Sequence, residues 1–320
     1  MKYLITGAAG FIGFHLSKRL SKEDVEIVGI DNLNSYYDVT LKESRLNQLR
    51  GRSNFDFIRL DMAEKDVLEK LFEQEKFDAV INLAAQPGVR YSITNPDVSI
   101  RSNITAFFNL LECCKKFEIK SLIYASSSSV YGNNDKVPSS VTDNVDHPIS
   151  LYAATKKANE LMAYTYHHLY NITTTGLRFF TVYGSWGRPD MAYYKFAKNI
   201  MDGKQIDVYN NGDMERDFTY IDDVIESIYR LTKKKVDNKY RLFNIGGEHP
   251  VKLLTFIEIL ERSLGKKAEV IFKEMQPGDV KKTFADSSAL AEFIDYKPLT
   301  RIEEGLDNFV KWFKDYYNYK

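Results

Sequence analysis

Short β-branched runs alternate with longer stretches of helical periodicity through the first half of the chain. The runs that predict buried strands are Lys2–Thr6, Val25–Ile30, Phe55–Leu60, Phe77–Leu83, Ser121–Ala125 and Thr173–Arg178. The stretches that predict helices are Phe11–Leu20, Leu41–Leu49, Ala63–Gln74, Val98–Phe117 and Leu151–Tyr170. Strands separated by helices form right-handed β-α-β units. The alternation therefore predicts an α/β fold built on a doubly wound parallel sheet.

The pattern changes after about Gly184, where turn-forming residues become frequent and apolar runs become shorter. Later segments that predict strands are Arg241–Ile245 and Ala268–Phe272, and those that predict helices are Phe256–Leu264 and Ile302–Tyr316. We therefore expect residues 1–184 to form the sheet domain, with room for later segments to return to it. Residues 185–320 are expected to form mainly a smaller α/β part packed on the sheet.

The amino-acid composition limits the kinds of molecule that the protein is expected to bind and the compartment in which it is expected to occur. The 44 basic residues equal the 44 acidic ones, so net charge gives no reason to expect nucleic acid or an anionic membrane as a partner. No apolar run approaches the ~18 residues of a membrane-spanning helix. The apolar start is too short for a signal peptide. The cysteines, Cys113 and Cys114, are adjacent and unsuited to a disulfide framework. A cytoplasmic protein is expected.

A glycine-rich turn follows the first strand and opens the first helix. Gly7 permits the tight turn, Gly10 lets the backbone approach a pyrophosphate, and Gly13 lets the helix pack closely on the strand. The phosphates would lie at the helix N-terminus, where free N–H groups favour negative charge. Asp31 at the end of the second strand would accept hydrogen bonds from the ribose hydroxyls and repel a 2′-phosphate. This Rossmann-type pattern predicts NAD rather than NADP as the cofactor.

Open parallel sheets bind ligands at the carboxyl ends of their strands. Asp61 and Met62 lie where an adenine edge would pass, although Asp61 can also serve as a helix N-cap. The small residues after Asn82 let the backbone pass close to a cofactor. The further residues expected to contact NAD are Phe11, Ile12, Asn32, Asp61, Met62, Leu83, Ala84, Ala85 and Asn103.

Tyr152 and Lys156 stand four residues apart at the start of a predicted helix and therefore share one face. A tyrosine is a poor base at neutral pH, because its ordinary pKa is about 10. A nearby ammonium and a positive nicotinamide ring would favour the phenolate. Lys156 can also hold the nicotinamide ribose. Ser126–Ser129 end the fifth strand, and one of these hydroxyls can hydrogen-bond the reacting sugar oxygen.

In this order, the glycine turn, Asp31, the serines and the Tyr152/Lys156 pair resemble the extended short-chain dehydrogenase/reductase family over nearly the whole chain. The resemblance implies a nucleotide-sugar substrate and a tightly held NAD. It also implies that Tyr152 removes a hydroxyl proton while hydride leaves C4, and that hydride returns to the other face of a 4-keto sugar. A homodimer through the helices near Val98–Phe117 and Leu151–Tyr170 is implied as well.

The residues at Ser126–Ser129 help to distinguish epimerases from dehydratases and decarboxylases. Dehydratases and UDP-glucuronate decarboxylases of the family carry an acidic residue just before the Val-Tyr-Gly, where this chain has Ser128 and Ser129. Without that acid, simple epimerisation is the favoured interpretation. Alignment with the 4-epimerases implies that Ser127 is the catalytic serine. Ser127 and Ser128 are both expected to contact the substrate. Ser126 and Ser128 flank Ser127, so the sequence leaves the choice of catalytic serine open.

Four segments look like those of UDP-glucuronate 4-epimerases, namely 86–92, 179–184, 186–192 and 216–223. Thr181 stands where UDP-galactose 4-epimerases have Asn, which leaves room for a carboxylate at C6. Arg188 offers a bidentate clamp to a carboxylate or a pyrophosphate. Arg216 is the stronger candidate for the pyrophosphate. Arg90 is a further candidate to contact an anion. Asp279, outside these segments, is a candidate to accept a hydrogen bond from the uridine ribose. Each of these five side chains can also have a purely structural role.

We therefore expect NAD-dependent 4-epimerisation of UDP-glucuronate to UDP-galacturonate. The alternatives are a 4-epimerase of another UDP-sugar (an N-acetylhexosamine or its uronic acid), a dehydratase or decarboxylase, a reductase, and a non-catalytic NAD-sensing protein. The intact Tyr152 and Lys156 argue against the last, because a sensor needs no base. No histidine has metal-ligand spacing, and the chemistry needs no metal.

Overall fold

The computed structural model describes residues 1–235 and 238–319. The strands are β1 (Lys2–Thr6), β2 (Glu26–Asp31), β3 (Phe55–Arg59), β4 (Ala79–Asn82), β5 (Ser121–Ser127), β6 (Thr173–Phe179), β7 (Thr181–Tyr183), β8 (Ile206–Tyr209), β9 (Glu215–Tyr220), β10 (Tyr240–Ile245), β11 (Pro250–Lys252) and β12 (Val270–Lys273). The helices are α1 (Phe11–Leu20), α2 (Val39–Leu49), α3 (Lys65–Gln74), α4 (Val89–Thr94), α5 (Pro96–Ile100), α6 (Ala106–Lys116), α7 (Leu151–Tyr170), α8 (Ala192–Met201), α9 (Ile221–Lys233), α10 (Leu253–Leu264), α11 (Ser288–Ile294) and α12 (Ile302–Tyr317). A π turn lies at Arg101–Thr105, and 3-10 turns lie at Ser128–Tyr131 and Asn210–Gly212.

Seven of the described strands form one sheet in the order β10-β6-β5-β4-β1-β2-β3. Every neighbouring pair in it is parallel. The chain first runs outward from β1 to β3, and then outward from β4 in the opposite direction. The order therefore reverses between β1 and β4, where a crevice opens at the carboxyl ends of the strands. This confirms the predicted α/β fold with a doubly wound parallel sheet.

The predicted helix over Val98–Phe117 is interrupted. α5 ends at Ile100, a π turn covers Arg101–Thr105, and α6 begins at Ala106. A π turn carries one residue more than an α turn, so it changes which side chains face inward while leaving the apolar periodicity almost intact. The sequence pattern could therefore predict a helix here but not its break.

The later part of the chain adds two small sheets. One has the order β11-β9-β7, and the other pairs β12 with β8. This part is not separate from the large sheet, because β10 is the edge strand beside β6. α9 also packs on α1, where the Arg19 guanidinium lies 3.5 Å from the ring centre of Tyr229. The two regions consequently share a continuous hydrophobic core.

Two further features concern the chemistry available. Among the described residues, no helix combines the length and apolarity that a membrane crossing requires. The same residues contain no group of three or more His, Cys, Asp or Glu placed to hold a metal ion. Cys113 and Cys114 are free thiols inside the core, and burial raises the pKa of both.

Candidate active site

The crevice at the reversal point is a cleft of about 480 Å³. The predicted site residues that line it are Gly7, Gly10, Phe11, Ile12, Gly13, Asp31, Asn32, Asp61, Met62, Leu83, Ala84, Ala85, Ser127, Ser128, Tyr152, Lys156, Thr181, Arg188 and Asp279. These residues come from both halves of the chain. They meet because the strands that precede most of them end at one edge of the sheet.

The glycine turn is packed too closely for side chains. Gly7 has a φ of +69°, and a Cβ there would lie 2.8 Å from the backbone nitrogen of Ala84. A Cβ on Gly13 would lie 2.1 Å from the carbonyl oxygen of Gly7. α1 starts after Gly10 without a side-chain cap. The turn therefore presents a bare helix N-terminus to the cleft, as a dinucleotide pyrophosphate requires.

Acidic residues stand at the end of β2 and two residues after the end of β3. The Asp31 carboxylate accepts a hydrogen bond from the Leu33 backbone N–H at 2.8 Å and borders the cleft. Asp61 accepts from the Ala63 N–H at 2.9 Å and forms an ion pair with Arg101 at 3.2 Å. The cap residue of α3 is Glu64 rather than Asp61. The Asp61 carboxylate therefore supports the loop after β3, which borders the cleft.

Tyr152 occupies the first turn of α7, which Ser150 caps by accepting from the Ala153 N–H. Burial raises the pKa of Tyr152, whereas a hydrogen bond with Ser127 and the charge of Arg188 act to lower it. Burial lowers the pKa of Lys156 to about 8, and its ammonium donates to the Ala125 carbonyl at 2.9 Å. The protein alone therefore holds Tyr152 as a phenol, and a further positive charge in the cleft is required to favour the phenolate.

The serines have different surroundings. Ser126 donates to Glu160 at 2.6 Å, and Glu160 also accepts two bonds of 2.8 Å from Arg178. Both members of this ion pair are 1% exposed. Ser127 lies away from this ion pair: its hydroxyl donates to the Ser129 hydroxyl at 3.1 Å, borders the cleft, and acts to lower the pKa of Tyr152. The hydroxyl of Ser126 is thus committed to a buried ion pair, and Ser127 is the better placed of the two for chemistry.

Arg188 reaches the cleft but already has an anionic partner. Its Nε and Nη2 donate to the two carboxylate oxygens of Asp190 at 3.0 and 2.7 Å. The Tyr36 hydroxyl donates to the same carboxylate at 3.3 Å. Thr181 lines the cleft beside Phe180. A substrate carboxylate at this end would therefore meet a charge-neutral Arg188–Asp190 pair.

A second cavity of about 440 Å³ continues from this end, and Tyr36, Arg188 and Asp279 line both cavities. Arg90 borders the second cavity and pairs with Asp279 at 2.7 Å, with its side chain half exposed. Arg216 donates to the carbonyl oxygens of Glu215 and Lys281 at 2.9 and 3.1 Å. Arg216 is absent from the lining of both cavities, whereas a pyrophosphate contact was expected to border the cleft.

Asn103 does not face the cleft. It lies in the π turn and is 2% exposed. Its amide oxygen accepts from the Gln86 N–H at 2.8 Å, and its nitrogen donates to the Gln86 carbonyl and to Thr155 at 3.1 Å each. The expected contact with NAD is replaced by support for the loop after β4, because protein groups take both ends of the amide.

Sequence reasoning missed several cleft residues, among them Tyr36, Tyr37 and Lys42. Lys42 is 4% exposed and donates to the backbone and side-chain oxygens of Asn34 at 2.8 and 3.0 Å. Helical periodicity could have flagged Lys42, since it falls among apolar positions of α2. Tyr36 lies in an irregular loop, and no pattern signalled its role.

The chain is similar to known proteins over nearly its whole length. The family described as the NAD dependent epimerase/dehydratase family matches residues 3–246. Protein CapI of Staphylococcus aureus is 53% identical, with 99% of this chain and 99% of that protein aligned. The probable UDP-glucuronate 4-epimerase of Rhizobium meliloti (strain 1021) is 45% identical, with 99% and 98% aligned. Among solved structures, the UDP-glucuronic acid 4-epimerase from Bacillus cereus in complex with UDP-glucuronic acid and NAD has a TM-score of 0.93 and 37% identity, covering 99% of this chain and 100% of that one.

Proposed function

The chain belongs to the NAD dependent epimerase/dehydratase family, and from this premise we propose that it interconverts UDP-glucuronate and UDP-galacturonate by inverting C4, with NAD as cofactor. The observation that carries the proposal is that Tyr152, Ser127 and the glycine turn border one cleft. Relatives named UDP-glucuronate 4-epimerase, aligned over nearly the whole chain, support the substrate. The Bacillus cereus structure in complex with NAD and UDP-glucuronic acid supports both ligands.

The residues of the cleft fit NAD. The glycine turn leaves a space that a Cβ would fill, and Asp31 lies at the end of the next strand, where a ribose would pass. The bound cofactor would supply the acceptor, and later the donor, of the C4 hydride. Its positive ring would add to the charge of Arg188 and so oppose the effect of burial on Tyr152. The residues proposed to hold it include Gly7, Gly10 and Asp31, with Lys156 on the nicotinamide ribose.

Tyr152 is the proposed base. Its phenolate takes the proton of the 4-hydroxyl while the C4–H bond breaks, which leaves a 4-keto sugar. Ser127 donates a hydrogen bond to O4 and stabilises its changing charge. After the sugar turns over, C4 receives hydride on its opposite face, and Tyr152 returns the proton to O4. Atoms and electrons balance within one turnover, so no net NADH accumulates.

The C6 carboxylate of the sugar is proposed to lie against Thr181 and Arg188. Thr181 can donate its hydroxyl to the carboxylate, and Arg188 can offer it a charged hydrogen bond. The pairing with Asp190 keeps Arg188 oriented before the sugar arrives. Ser128 borders the cleft beside Ser127 and is a further proposed sugar contact. Arg90 and Asp279 remain proposed contacts of the UDP moiety at the second cavity. Arg216 lies outside the lining of both cavities and remains a proposed contact of the same moiety.

We also propose a homodimer in the cytoplasm. Phe107 and Leu111 pack in the core below the sheet, so they are unavailable to a partner. Leu161, Tyr164 and Leu169 on α7 are instead more than half exposed, and a second copy of α7 would cover them. The free, buried thiols suit a reducing compartment. Sedimentation analysis would detect the dimer, and a monomer at micromolar concentration would contradict it.

The function is tested with purified protein, UDP-glucuronate and no added cofactor, by resolving products with proton NMR. An anomeric signal for UDP-galacturonate, without carbon dioxide or net NADH, is expected. A pentose product would mean a decarboxylase, and unchanged substrate in the presence of added NAD would refute the carboxylate site and direct attention to UDP-N-acetylglucosamine.

The assignment of the base is tested by Tyr152→Phe. It should lower kcat by roughly 10²–10⁴-fold, because general base catalysis is lost. Tyr164→Phe, on the exposed face of the same helix, is the matched control and should keep the wild-type rate. Full activity of Tyr152→Phe would show that another group removes the proton.

A further inference from the structure

One buried guanidinium joins the glycine turn to a distant segment of the chain. Arg45 lies on α2 and has no exposed surface. Its Nη1 donates to the carbonyl of Ala9, inside the glycine turn, at 2.9 Å and to the Tyr37 hydroxyl at 2.7 Å. Its Nε and Nη2 donate to the carbonyl of Trp186 at 3.0 and 2.7 Å. A fifth bond, from Nη2 to the carbonyl of Gly187, measures 2.8 Å.

The segment held in this way comes directly before Arg188. Trp186 has a φ of +60°, which a non-glycine residue adopts only when its surroundings impose it. Ser185 is held from the other side, because His15 Nε2 on α1 donates to its carbonyl at 2.9 Å. The backbone that positions Arg188 is therefore anchored on the two helices that flank the glycine turn.

The charge of Arg45 has no acidic counterpart in its bonds. All five acceptors are carbonyl or hydroxyl oxygens, and among the described residues no carboxylate forms an ion pair with Arg45. Burying a cation without an anion is costly. A pyrophosphate bound on the open side of the glycine turn would supply negative charge to the element that Arg45 supports from behind.

We propose that Arg45 is a positioning residue that couples the two ligands of this cleft. It fixes the glycine turn and the segment carrying Arg188 relative to each other, so that binding of NAD orders the substrate end and binding of the nucleotide sugar orders the cofactor end. This inference rests on the proposed function for the identity of the two ligands. Such coupling is reciprocal, since each ligand meets a site that the other has already ordered.

The first test compares Arg45→Met with Arg45→Lys. The Met variant removes the charge and all five bonds, whereas the Lys variant keeps the charge and fewer donors. We expect both KM for UDP-glucuronate and Kd for NAD to rise about tenfold or more in Arg45→Met, with smaller rises in Arg45→Lys. The kcat at saturation with both ligands should change little, because none of the five bonds involves Tyr152, Ser127 or Lys156.

Leu264→Ala is the control for general destabilisation, because Leu264 lies in the core at the end of α10. The Leu264→Ala variant should have a lower Tm, but the same KM for UDP-glucuronate and the same Kd for NAD as the wild type. The proposal would be overturned if Arg45→Met raised only KM or only Kd, or if it raised neither of them.

A second measurement covers the case in which Arg45→Met does not fold. Tyr37→Phe removes only one acceptor of Arg45. Hydrogen exchange is followed in the holoenzyme before and after UDP is added. In the wild type, exchange should slow both in residues 185–190 and in residues 8–13, whereas in Tyr37→Phe the slowing at 8–13 should diminish. Equal slowing in the two proteins would refute the coupling. This readout needs no epimerisation, so its failure is distinguishable from failure of the proposed function.

Discussion

Two adjacent serines at the end of β5 serve different purposes because strand residues alternate between faces. Ser126 points into the ion pair of Glu160 and Arg178, where its hydroxyl satisfies a buried carboxylate. Ser127 borders the cleft, where it acts to lower the pKa of Tyr152. A shift of one residue along the strand thus separates a structural hydroxyl from one available for chemistry.

Substitution of the two serines should therefore have opposite effects. Ser126→Ala leaves a buried carboxylate with one donor fewer and should lower the free energy of unfolding by about 1–3 kcal/mol, with kcat nearly unchanged. Ser127→Ala should lower kcat by about 10²-fold or more and change stability little. Urea unfolding and the NMR assay measure the two quantities. If Ser126→Ala abolished turnover in stable protein, the roles of the two serines would be reversed.

His15 provides a residue-scale dependence on pH. Burial lowers its pKa to about 3, below the ordinary value of 6.5. Between these values the unfolded chain binds a proton that the folded chain does not, so stability falls as pH falls from about 6.5 toward 3. The slope from one such group is at most about 1.4 kcal/mol per pH unit. Urea unfolding of the wild type and His15→Gln at pH 7 and pH 5 should show the smaller loss in the variant. Equal losses in both would contradict a depressed pKa.

At the scale of elements, the π turn between α5 and α6 places a polar side chain inside the protein. Asn103 there holds the backbone of Gln86, in the loop that follows β4 and borders the cleft. π turns are often found at functional sites because the extra residue redirects one side chain. The turn consequently supports the cofactor end of the cleft from behind.

Asn103→Ala should weaken NAD binding and lower stability together. The unfolding free energy should fall by about 1–3 kcal/mol, since two Gln86 backbone groups lose their partner. Asn54→Ala is a matched control, because Asn54 donates to three carbonyls in the connection between α1 and β2, away from the cleft residues. It should lower stability without affecting NAD. Weaker NAD binding at unchanged stability would instead favour the direct contact expected from the sequence.

The sequence predicted the features that depend on a local pattern within one strand–helix unit. It did not predict contacts between residues that are distant in the sequence. The glycine turn, Asp31 and the Tyr152/Lys156 pair each stand at a recognisable position within a strand–helix unit, and all of them line the cleft. Arg45 was missed because its partners at 186 and 187 are remote in sequence. The Arg188–Asp190 pair was missed for another reason, since nothing in a single sequence states whether a cleft arginine is already paired.

At the scale of the molecule, the large sheet and the later segments share one core. Phe14 of α1 packs on Trp186, with ring centres 5.7 Å apart, and Trp186 packs on Trp312 of α12 at 5.2 Å. The two regions are therefore expected to unfold together. A ligand bound at the glycine turn should stabilise both, because neither can unfold without disrupting the common core.

NAD should raise Tm in a single transition. At a concentration 100 times its Kd, a ligand that binds only the folded state adds about 2.7 kcal/mol. NADP should add less, because Asp31 would repel its 2′-phosphate. Differential scanning calorimetry with each nucleotide measures both effects. Two separate transitions, of which only one shifts, would show that the regions unfold independently, and equal shifts with both nucleotides would contradict the role of Asp31.

The edge strand β10 has a consequence for the order in which the protein is built on the ribosome. Its partner β6 ends at Phe179, and β10 starts only at Tyr240. At about 5–20 residues per second, synthesis of the intervening chain takes several seconds. During that time β6 presents an unpaired edge, the surface on which nascent chains associate wrongly. The large sheet is therefore complete only after β10 has been synthesised. A truncated chain that ends near residue 184 should aggregate or require chaperones to stay in solution.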